Sequence, residues 1–375
     1  MPDFLARTAP CADGSVRSQL LIDHLHGVSD LAGHFASAFG SEEWGRLAGL
    51  WHDMGKYRDK FQRKLRGEHI PVEHSGIGAA LAISKGTVAA SALAVAIAHH
   101  HGQVRNMNSS FRERMVCNTS RLDALLDRIP QQLRDVGTPS PPTYLTDGAD
   151  ATLRTEFWSR FLLSCLVDAD RLDSEAFGSP EKHTLRGSQV DIPALRQRID
   201  EAIQSRIDAL EPEARARPIN RVRNTILEAA RRAAELSPGL FSMTAPTGGG
   251  KTLSAMSFAL RHAEKHGMRR VIVVIPYTSI IEQNAKVYRE ALGRDAVLEH
   301  HSNFDRDRMR KDDDDEALTK HDLAAENWDM PVVVTTSVQF FESIFSNRTS
   351  RLRKVHNIAR SVVAVSYTHL TLPTN

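Results

Sequence analysis

Hydrophobic residues in the first half of the chain recur at helical spacing. They fall three and four positions apart in several separate stretches, and each stretch therefore predicts an amphipathic helix with one apolar stripe. Helices of this kind bury their stripes against one another, so we predict an all-helical domain over residues 1–215. The stretches with this spacing cover residues 19–39, 42–56, 72–83 and 91–102 and the region that begins at Ala151.

One part of this region does not follow the helical pattern. Residues 103–150 are polar and rich in turn-forming residues, and the run TPSPP at residues 138–142 interrupts them. Clusters of proline, serine and threonine of this kind are typical of loops between regular elements. We interpret residues 103–150 as an insertion of short helices and loops within the helical domain.

The pattern changes near Pro218. A helical stretch at 221–236 precedes the strand-like run LFSMTAP at 240–246, a glycine run and a further helix at 252–266. The β-branched runs VIVVIPY, PVVVT and SVVAV then predict buried strands. Strand, glycine loop, helix and strand in this order indicate a βαβ unit with a parallel sheet. The predicted fold class is therefore α + α/β, with the α/β part over residues 216–365.

The amino-acid composition limits the cellular environments and the binding partners that we expect for this protein. Among 375 residues, 48 are Lys or Arg and 46 are Asp or Glu, so the net charge of +2 requires any nucleic-acid contact to use local basic patches. No apolar run is long enough to span a bilayer, and we predict no membrane association. The cysteines show no CxxC spacing, which indicates neither a disulfide framework nor a zinc site and favours the cytoplasm; they are Cys11, Cys117 and Cys165.

The run WHDMGK places an imidazole, a carboxylate and an ammonium within one helical turn, at His52, Asp53 and Lys56. A His-Asp pair alone carries little information, since His321-Asp322 repeats it in a polar stretch without companions. The first pair has companions on other predicted helices, which a helical bundle can direct into one cavity. These companions are His24, His74, His100, His101 and the acidic run DADRLD.

Metal binding is the chemistry that these residue types favour. Imidazole and carboxylate ligands suit iron, manganese, cobalt, nickel or zinc, and Asp53 has two oxygens with which to bridge two ions. Two ions roughly 3.5 to 4 Å apart activate water and stabilise the attacking and leaving oxygens in phosphodiester hydrolysis. Lys56 would then add positive charge for the scissile phosphate. The alternative for each histidine is a hydrogen-bonded or exposed side chain, which we prefer for His99, because three consecutive histidines cannot all face one point.

These residues and their contexts resemble a known family. The ordered set around His52-Asp53 resembles the signature of HD-superfamily phosphohydrolases, and the contexts DHLHGVSDLAGHFA, EHSGIGAAL and SCLVDADRLDSE resemble the HD nuclease of the CRISPR-associated helicase-nucleases of type I systems. The resemblance implies a single-stranded DNA nuclease with one or two ions of manganese, iron, nickel or cobalt. Within DADRLD it favours Asp170 as a ligand, with Asp168 as the alternative.

The second half contains the run APTGGGKT, which fits the P-loop pattern with Ala245 where glycine is usual. The run follows a predicted strand and opens a predicted helix. Glycines let backbone N–H groups surround phosphates, while Lys251 reaches the β and γ phosphates and Thr252 holds magnesium. The alternative is a glycine-rich turn without a ligand. We predict a site for ATP and magnesium formed by Thr247, Gly248, Gly249, Gly250, Lys251 and Thr252.

The runs APTGGGKT, VVIPYTSIIEQN and VVVTTSVQFFESIF resemble motifs of superfamily 2 helicases, and VQFFES resembles the same CRISPR-associated family. The resemblance implies a DNA track on which hydroxyls and backbone amides contact phosphates. A purely structural role is the alternative for each residue. The residues that the resemblance places on the track are Pro276, Tyr277, Thr278, Thr335, Thr336 and Gln339.

The chain also departs from that family. In such motors an acidic DExH-type box completes the magnesium site and a second RecA-like domain supplies an arginine finger, whereas here SVVAV is followed by SYTHLTLPTN. We therefore expect 216–365 to be a partial first RecA-like domain, 366–375 to be a non-native tail and unwinding to be absent.

For the full-length protein, the resemblance implies recruitment by the type I surveillance complex Cascade at an R-loop. It also implies ATP-dependent 3′-to-5′ unwinding and degradation of targeted DNA in antiviral defence. Two alternatives stay open: an HD-type nucleotide phosphohydrolase with an accessory NTP-binding domain, and a catalytically inactive adaptor.

Overall fold

The structure, a computed structural model, describes residues 3–10, 13–105, 109–146, 148, 150–187, 190–301 and 315–366. The chain divides into two compact units. The first unit extends to Thr184 and also includes Ser343–Ala359, and the second extends from Leu185 to Glu342 and resumes at Arg360. Within the described residues, every helix is too short or too polar to span a bilayer.

The first unit is mainly helical, as the hydrophobic spacing predicts. Short 3-10 segments follow several of its helices, at Ser37–Phe39, Met54–Tyr57 and Val355–Ile358. Its helices are α1 (Leu21–Ala36), α2 (Glu42–Trp51), α3 (Asp59–Leu65), α4 (Ser75–Ser84), α5 (Val88–His99), α6 (Ser109–Asp123), α7 (Gln131–Arg134), α8 (Thr143–Thr146), α9 (Ala151–Gly178) and α10 (Pro180–Thr184).

A β-hairpin, which the hydrophobic spacing did not predict, precedes these helices. Strand β1 (Leu5–Pro10) pairs antiparallel with β2 (Val16–Leu20). Asp13-Gly14 lies between the two strands, and Gly14 has a φ of 81°, which suits glycine in a tight turn. An Asp-Gly pair between two short strands is a hairpin signal, so the sequence did contain the information needed for this prediction.

The apolar stripes meet in one core. Helix α1 packs against α2 and α9, and Leu25, Trp51 and Leu162 are fully or almost fully buried between them. Helix α2 ends at Trp51, whereas the spacing predicted a helix through Lys56. A Cβ atom on Gly55 would lie 2.1 Å from the carbonyl oxygen of His74, so the chain after α2 turns sharply and packs tightly against the residue before α4.

The boundaries of the two units differ from the change in composition near residue 216. Helix α11 (Ile192–Asp208) buries Leu195 and Ile199 in the core of the second unit. In contrast, the Ser343–Ala359 segment buries Leu352 and Val355 in the core of the first unit. An apolar stripe identifies a face that must be buried, but the stripe alone does not identify the core that buries it.

The second unit contains a parallel sheet, in agreement with the predicted α/β class. Its strands occur in the order β4-β5-β3-β6, and every pairing is parallel. The strands are β3 (Arg270–Ile275), β4 (Val297–His300), β5 (Val332–Thr336) and β6 (Ser361–Val365). The further helices are α12 (Pro212–Arg215), α13 (Pro218–Ala233), α14 (Lys251–Lys265), α15 (Thr278–Leu292), α16 (Asp315–Asn327) and α17 (Ser337–Phe345), and α18 (Thr349–Leu352) lies in the segment assigned to the first unit.

The prediction of a strand at 240–246 is wrong. These residues have no regular secondary structure, and Leu240 is fully exposed. A strand requires a neighbouring strand for its backbone hydrogen bonds, and among the described residues β6 pairs with β3 alone. Local β propensity cannot reveal whether such a neighbour exists. Residues 367–375 of the predicted non-native tail lie outside the described residues.

Candidate metal centre and nucleotide-binding loop

The first unit brings all of the predicted metal ligands together. His24 lies on α1, and His52 and Asp53 lie directly after α2. His74 immediately precedes α4, and Asp170 lies on α9. His100 and His101 follow α5. Their ligand atoms form two groups of four, each with all atoms within 4.8 Å of one another, and Asp53 belongs to both groups.

The first group, called the His24 group, consists of His24, His52, Asp53 and Asp170; the first three are fully buried, and the side chain of Asp170 is 13% exposed. The Oδ2 atom of Asp53 lies 3.4 Å from His24 Nε2 and 3.3 Å from His52 Nε2. Asp170 Oδ1 completes the group at 3.5 Å from His24 Nε2. Two imidazoles and two carboxylates in this arrangement suit a divalent transition metal.

The second group, called the His74 group, consists of Asp53, His74, His100 and His101. The other oxygen of Asp53, Oδ1, lies 3.4 Å from His74 Nε2 and 3.6 Å from His100 Nε2. His101 Nε2 is 3.9 Å away, and its side chain is 47% exposed. The two oxygens of Asp53 therefore face different sets of imidazoles, which is the arrangement required of a bridging carboxylate.

Backbone carbonyls orient two of the buried rings. His52 Nδ1 donates to the Gly49 carbonyl at 2.7 Å, and His100 Nδ1 donates to the Ile97 carbonyl at 2.6 Å. Because a carbonyl only accepts, the proton must be on Nδ1 and the lone pair on Nε2. Within the described residues these two Nε2 atoms are buried without a hydrogen bond. Buried lone pairs aimed at one point fit a bound cation.

Three further residues support the site, and none of them was predicted from the sequence. Asp173 Oδ2 accepts from His24 Nδ1 at 2.6 Å, and Arg7 on β1 lies 3.5 Å from Asp170 Oδ1. Gln62 holds β1 through hydrogen bonds to both backbone groups of Leu5, at 3.0 Å each. Asp173 lies three residues after Asp170, on the same helix face, so its spacing was a usable signal. Arg7 and Gln62 become relevant only through the hairpin.

Lys56 lies inside the site. Its Nζ atom is 2.6 Å from Asp53 Oδ2 and donates to the Ala6 carbonyl of β1 at 3.3 Å. Its side chain is only 9% exposed. The ammonium thus neutralises Asp53 and links the hairpin to the residues after α2.

Burial and neighbouring charges shift the pKa values of several ligands in different directions. Burial by itself would raise the pKa of Asp53, but Lys56 and His52 more than offset it, so the pKa of Asp53 lies well below its ordinary value. Burial likewise opposes the charged form of His24, yet its hydrogen bond to Asp173 raises the pKa of His24 overall. Partial burial and the neighbouring His100 lower the pKa of His101, whose side chain is 47% exposed.

The structure distinguishes between the alternatives that the sequence left open for Asp168 and for His99. Asp168 points away from the metal groups, and its Oδ1 atom lies 2.6 Å from Arg353 Nε. His99 Nδ1 donates to the Val95 carbonyl, and its ring stacks on Phe111 at 5.6 Å. Asp170 and not Asp168 therefore joins the His24 group, and His99 lies in neither group.

The predicted nucleotide-binding residues form the turn before α14 and its first helical residues. Gly250 precedes the helix with a φ of 81°, in the left-handed region that favours glycine. Lys251 is exposed, and its Nζ donates to the Ala245 carbonyl at 3.0 Å. Thr252 Oγ1 donates to Asn284 Oδ1 at 3.3 Å. Thr247, Gly248 and Gly249 complete the loop, whose backbone N–H groups at a helix N-terminus suit an anion.

The residues predicted to contact DNA lie at and after the C-terminal ends of two neighbouring parallel strands, β3 and β5. Pro276 and Tyr277 follow β3, and Tyr277 is 47% exposed. Thr335 is fully buried and donates to the His300 carbonyl at 2.7 Å, while Thr336 Oγ1 accepts from the backbone N–H of Gln339 at 3.0 Å. Both hydroxyls thus have partners within the protein. Thr278 begins α15, but its side chain lies outside the described part of the chain.

Two family models match the chain. The model described as an HD domain matches residues 21–129, which include six of the seven grouped ligands, whereas Asp170 lies beyond the match. The model described as a DEAD/DEAH box helicase matches residues 223–363. That range contains the nucleotide-binding loop and the strands β3, β4 and β5.

Similar proteins combine both parts. A curated relative, the CRISPR-associated nuclease/helicase Cas3 of Haloferax volcanii, is 26% identical over 384 aligned positions, which cover 80% of this chain and 40% of that protein. The crystal structure of T. fusca Cas3-ATP matches 99% of this chain and 48% of its own chain, with 18% identity and a TM-score of 0.57. T. fusca Cas3-AMPPNP matches 99% of this chain and 47% of its own, with 18% identity and a TM-score of 0.56.

At this identity, the solved structures show a shared fold. The chain spans 40% of the curated relative and less than half of these solved chains. The helical unit with its metal groups and the parallel-sheet unit with its glycine loop correspond to the two family models in chain order. Together, the family models and the curated relative show that the chain joins an HD domain to a DEAD/DEAH box helicase domain, as in the Cas3 proteins to which it is similar.

Proposed function

We propose that the helical unit is a metal-dependent nuclease that cleaves phosphodiester bonds in single-stranded DNA. The observation that carries this proposal is the bridging arrangement of Asp53, whose Oδ2 faces the His24 group and whose Oδ1 faces the His74 group. Two adjacent sites for divalent cations match the requirement of phosphodiester hydrolysis, in which negative charge grows on both the attacking and the leaving oxygen. Manganese, iron, nickel and cobalt suit this imidazole-rich donor set.

The ligands that would hold the ions are the members of the two groups. When bound, one or two divalent ions supply Lewis-acid chemistry that lowers the pKa of water and neutralises phosphate charge. The protein's own residues prepare the site. Lys56 keeps Asp53 ionised, Asp173 orients the His24 ring, and the carbonyl of Gly49 orients the His52 ring. Lys56 and Arg7 are the cations in and beside the site from which we expect contacts to the scissile phosphate.

For the second unit we propose binding of ATP and magnesium at the loop formed by residues 247–252. Lys251 would release the Ala245 carbonyl and reach the β and γ phosphates, and Thr252 would contact the magnesium ion. The exposed ring of Tyr277, together with Pro276, Thr278 and Gln339, would lie beside the DNA strand. Thr335 and Thr336 would support that edge of the sheet from within.

The activity of the whole protein is a further proposal. We propose that the full-length protein is recruited by the type I surveillance complex Cascade to an R-loop in the cytoplasm. There it would move 3′-to-5′ with ATP and degrade the targeted DNA in antiviral defence. The similarity to Cas3 and the joined HD and helicase domains support this proposal.

The test is cleavage of a labelled single-stranded oligonucleotide by the purified chain in the presence of manganese, iron, nickel, cobalt or magnesium. We expect cleavage with at least one transition metal, and a loss of at least ~100-fold in His52→Ala and Asp53→Ala, because each removes a ligand. The matched control is Asp322→Ala, which alters the other His-Asp pair of the chain and should leave cleavage unchanged.

Other outcomes identify the alternatives. Release of phosphate from free nucleotides without DNA cleavage would identify a nucleotide phosphohydrolase. Folded protein that binds no transition metal and cleaves nothing would identify an inactive adaptor. Equal cleavage by the wild type and the Asp53→Ala variant would show that the activity does not come from this metal centre.

A further inference from the structure

A buried ion pair joins α9 to the Ser343–Ala359 segment within the first unit. Arg353 Nε donates to Asp168 Oδ1 at 2.6 Å, and the two residues are 4% and 0% exposed. The segment follows β5 in sequence and precedes β6, and it falls within the range that matches the helicase model. The nuclease unit therefore obtains one of its buried cations from the helicase part of the sequence.

A second residue of the segment strengthens the same contact. The His356 backbone N–H donates to Ser164 Oγ at 2.9 Å, and His356 Nδ1 lies 3.0 Å from the same oxygen. His356 Nε2 is 3.5 Å from Asp168 Oδ2. Ser164 and Asp168 are four residues apart, so they lie on one face of α9. The segment thus contacts this face of the helix at two successive turns.

The opposite face of α9 carries Asp170. Successive residues of an α-helix are related by a rotation of about 100°, so Asp168 and Asp170 point in directions about 160° apart. Asp170 Oδ1 lies 3.5 Å from His24 Nε2 in the metal centre. Any rotation of α9 about its axis that moves Asp170 relative to His24 also moves Asp168 relative to Arg353. The two contacts therefore fix the rotational position of the same helix from two sides.

The segment also contacts α1, the helix that bears His24. The ring of Phe35 on α1 stacks on the ring of His356, with centroids 4.7 Å apart. His24 and Phe35 are eleven residues apart, or three helical turns, and so lie on the same side of α1. One buried segment thus contacts two of the helices that supply ligands to the His24 group.

We propose that Arg353 is a positioning residue of the metal centre, which acts through Asp168 and the orientation of α9 to place Asp170 for metal binding. This inference rests on the proposed function of the centre. It assigns to the helicase part of the sequence a direct role in completing the nuclease site. A purely structural ion pair would instead stabilise the fold and leave the metal affinity of folded molecules unchanged.

The experiment uses the whole chain and four variants. Arg353→Met removes the charge with a side chain of similar length, and Arg353→Lys retains the charge. The double variant Asp168→Asn, Arg353→Met removes both charges, so no unpaired ion is left buried. The matched control is Arg46→Met, which changes an exposed arginine paired with Asp30 on the same unit. For each variant we measure thermal stability, Co(II) affinity and the visible spectrum of the Co(II) complex.

We expect Arg353→Met to bind Co(II) about tenfold more weakly than the wild type, with a changed visible spectrum, as is typical when an outer partner of a ligand is lost. Arg353→Lys should recover most of that affinity. The double variant should regain thermal stability but keep the weak affinity and the changed spectrum, since the ion pair no longer restrains the rotation of α9. Arg46→Met should match the wild type in all three measurements.

Several outcomes would overturn the inference. If the folded Arg353→Met and double variants bind Co(II) like the wild type, the ion pair is only structural. The same conclusion follows if affinity returns together with stability in the double variant. Should Arg353→Met fail to fold, Arg353→Lys and the double variant decide the question by the same criteria. Wild-type protein that binds no Co(II) would instead refute the proposed function, so the two failures are distinguishable.

Discussion

The candidate metal centre and the proposed nucleotide-binding loop are built in opposite ways, although both are suited to binding charged ligands. The loop uses consecutive residues, backbone N–H groups and a helix N-terminus, and its lysine is exposed. The metal centre collects side chains from residue 24 to residue 170, most of them buried, on elements separated along the chain. The first arrangement is local, whereas the second exists only after several helices have packed.

The metal centre therefore depends on the packing of the fold more strongly than the loop does. Burying several imidazoles and carboxylates costs free energy unless each charge finds a partner, so the metal centre depends on supporting residues such as Lys56, Asp173 and Gly49. Formation of the loop costs less free energy, since its polar groups remain near solvent. We therefore expect changes in packing to damage the metal centre more than the loop, and substitutions at either site to act separately.

The largest effects should come from removing one central residue at each site. We expect His100→Ala to weaken transition-metal binding by at least ~100-fold, because a buried ligand is lost. Lys251→Ala should weaken binding of an ATP analogue by roughly 10- to 100-fold through the loss of a charge-assisted hydrogen bond. Metal titration and nucleotide titration of both variants provide the measurement. Loss of metal binding in Lys251→Ala would contradict the expected independence.

A packing change should affect the metal centre through the fold. In Gly55→Ala, the new Cβ atom would lie 2.1 Å from the His74 carbonyl, so the backbone must move and displace His74. We expect a loss of about 1 to 3 kcal/mol in the free energy of unfolding, with weaker metal binding. Denaturant unfolding followed by metal titration measures both. Gly137→Ala is the control, since a Cβ atom there meets nothing within 4 Å; equal losses in both would rule out the steric explanation.

A smaller effect on metal affinity should follow from a substitution at Asp173, which accepts a hydrogen bond from His24. Asp173→Asn retains the shape of the side chain but removes the charge that holds the His24 ring. We expect transition-metal affinity to fall about tenfold, since loss of an outer partner of a histidine ligand typically costs 10- to 100-fold. Isothermal titration with Co(II) measures the change. Asp23→Asn, an exposed neighbour of His24 on α1, should have no effect; an unchanged affinity in Asp173→Asn would remove Asp173 from the site.

The smallest effect concerns pH and separates the two metal groups. Metal binding requires neutral imidazoles, and the pKa of His24 is raised, whereas burial lowers the pKa of His74, and partial burial together with His100 lowers that of His101. As pH falls, protons therefore compete first at His24 and only at lower pH at His74 and His101. We expect Co(II) titrations between about pH 8 and pH 5 to show the His24 group losing affinity first. Parallel loss at both groups would contradict the pKa assignment.

Much of this protein follows from the sequence alone. Helical spacing in the first half and β-branched runs in the second predict the α + α/β class, because burial of apolar stripes depends on periodicity. The glycine run before α14 is local, so its position and role follow from consecutive residues. The resemblance also identifies the seven residues that the structure brings into two groups. None of these conclusions requires knowledge of distant contacts.

Features that depend on contacts between distant residues could be learned only from the tertiary structure. Only packing shows that the two oxygens of Asp53 face different imidazoles, that Asp168 turns to Arg353 instead of the centre, and that residues 240–246 do not form a strand. Only packing shows that residues after β5 complete the nuclease unit. Hydrophobic periodicity predicts that a helix face is buried, but the element that packs against this face is determined by the fold of the whole chain. The direction in which each ligand side chain points is determined in the same way.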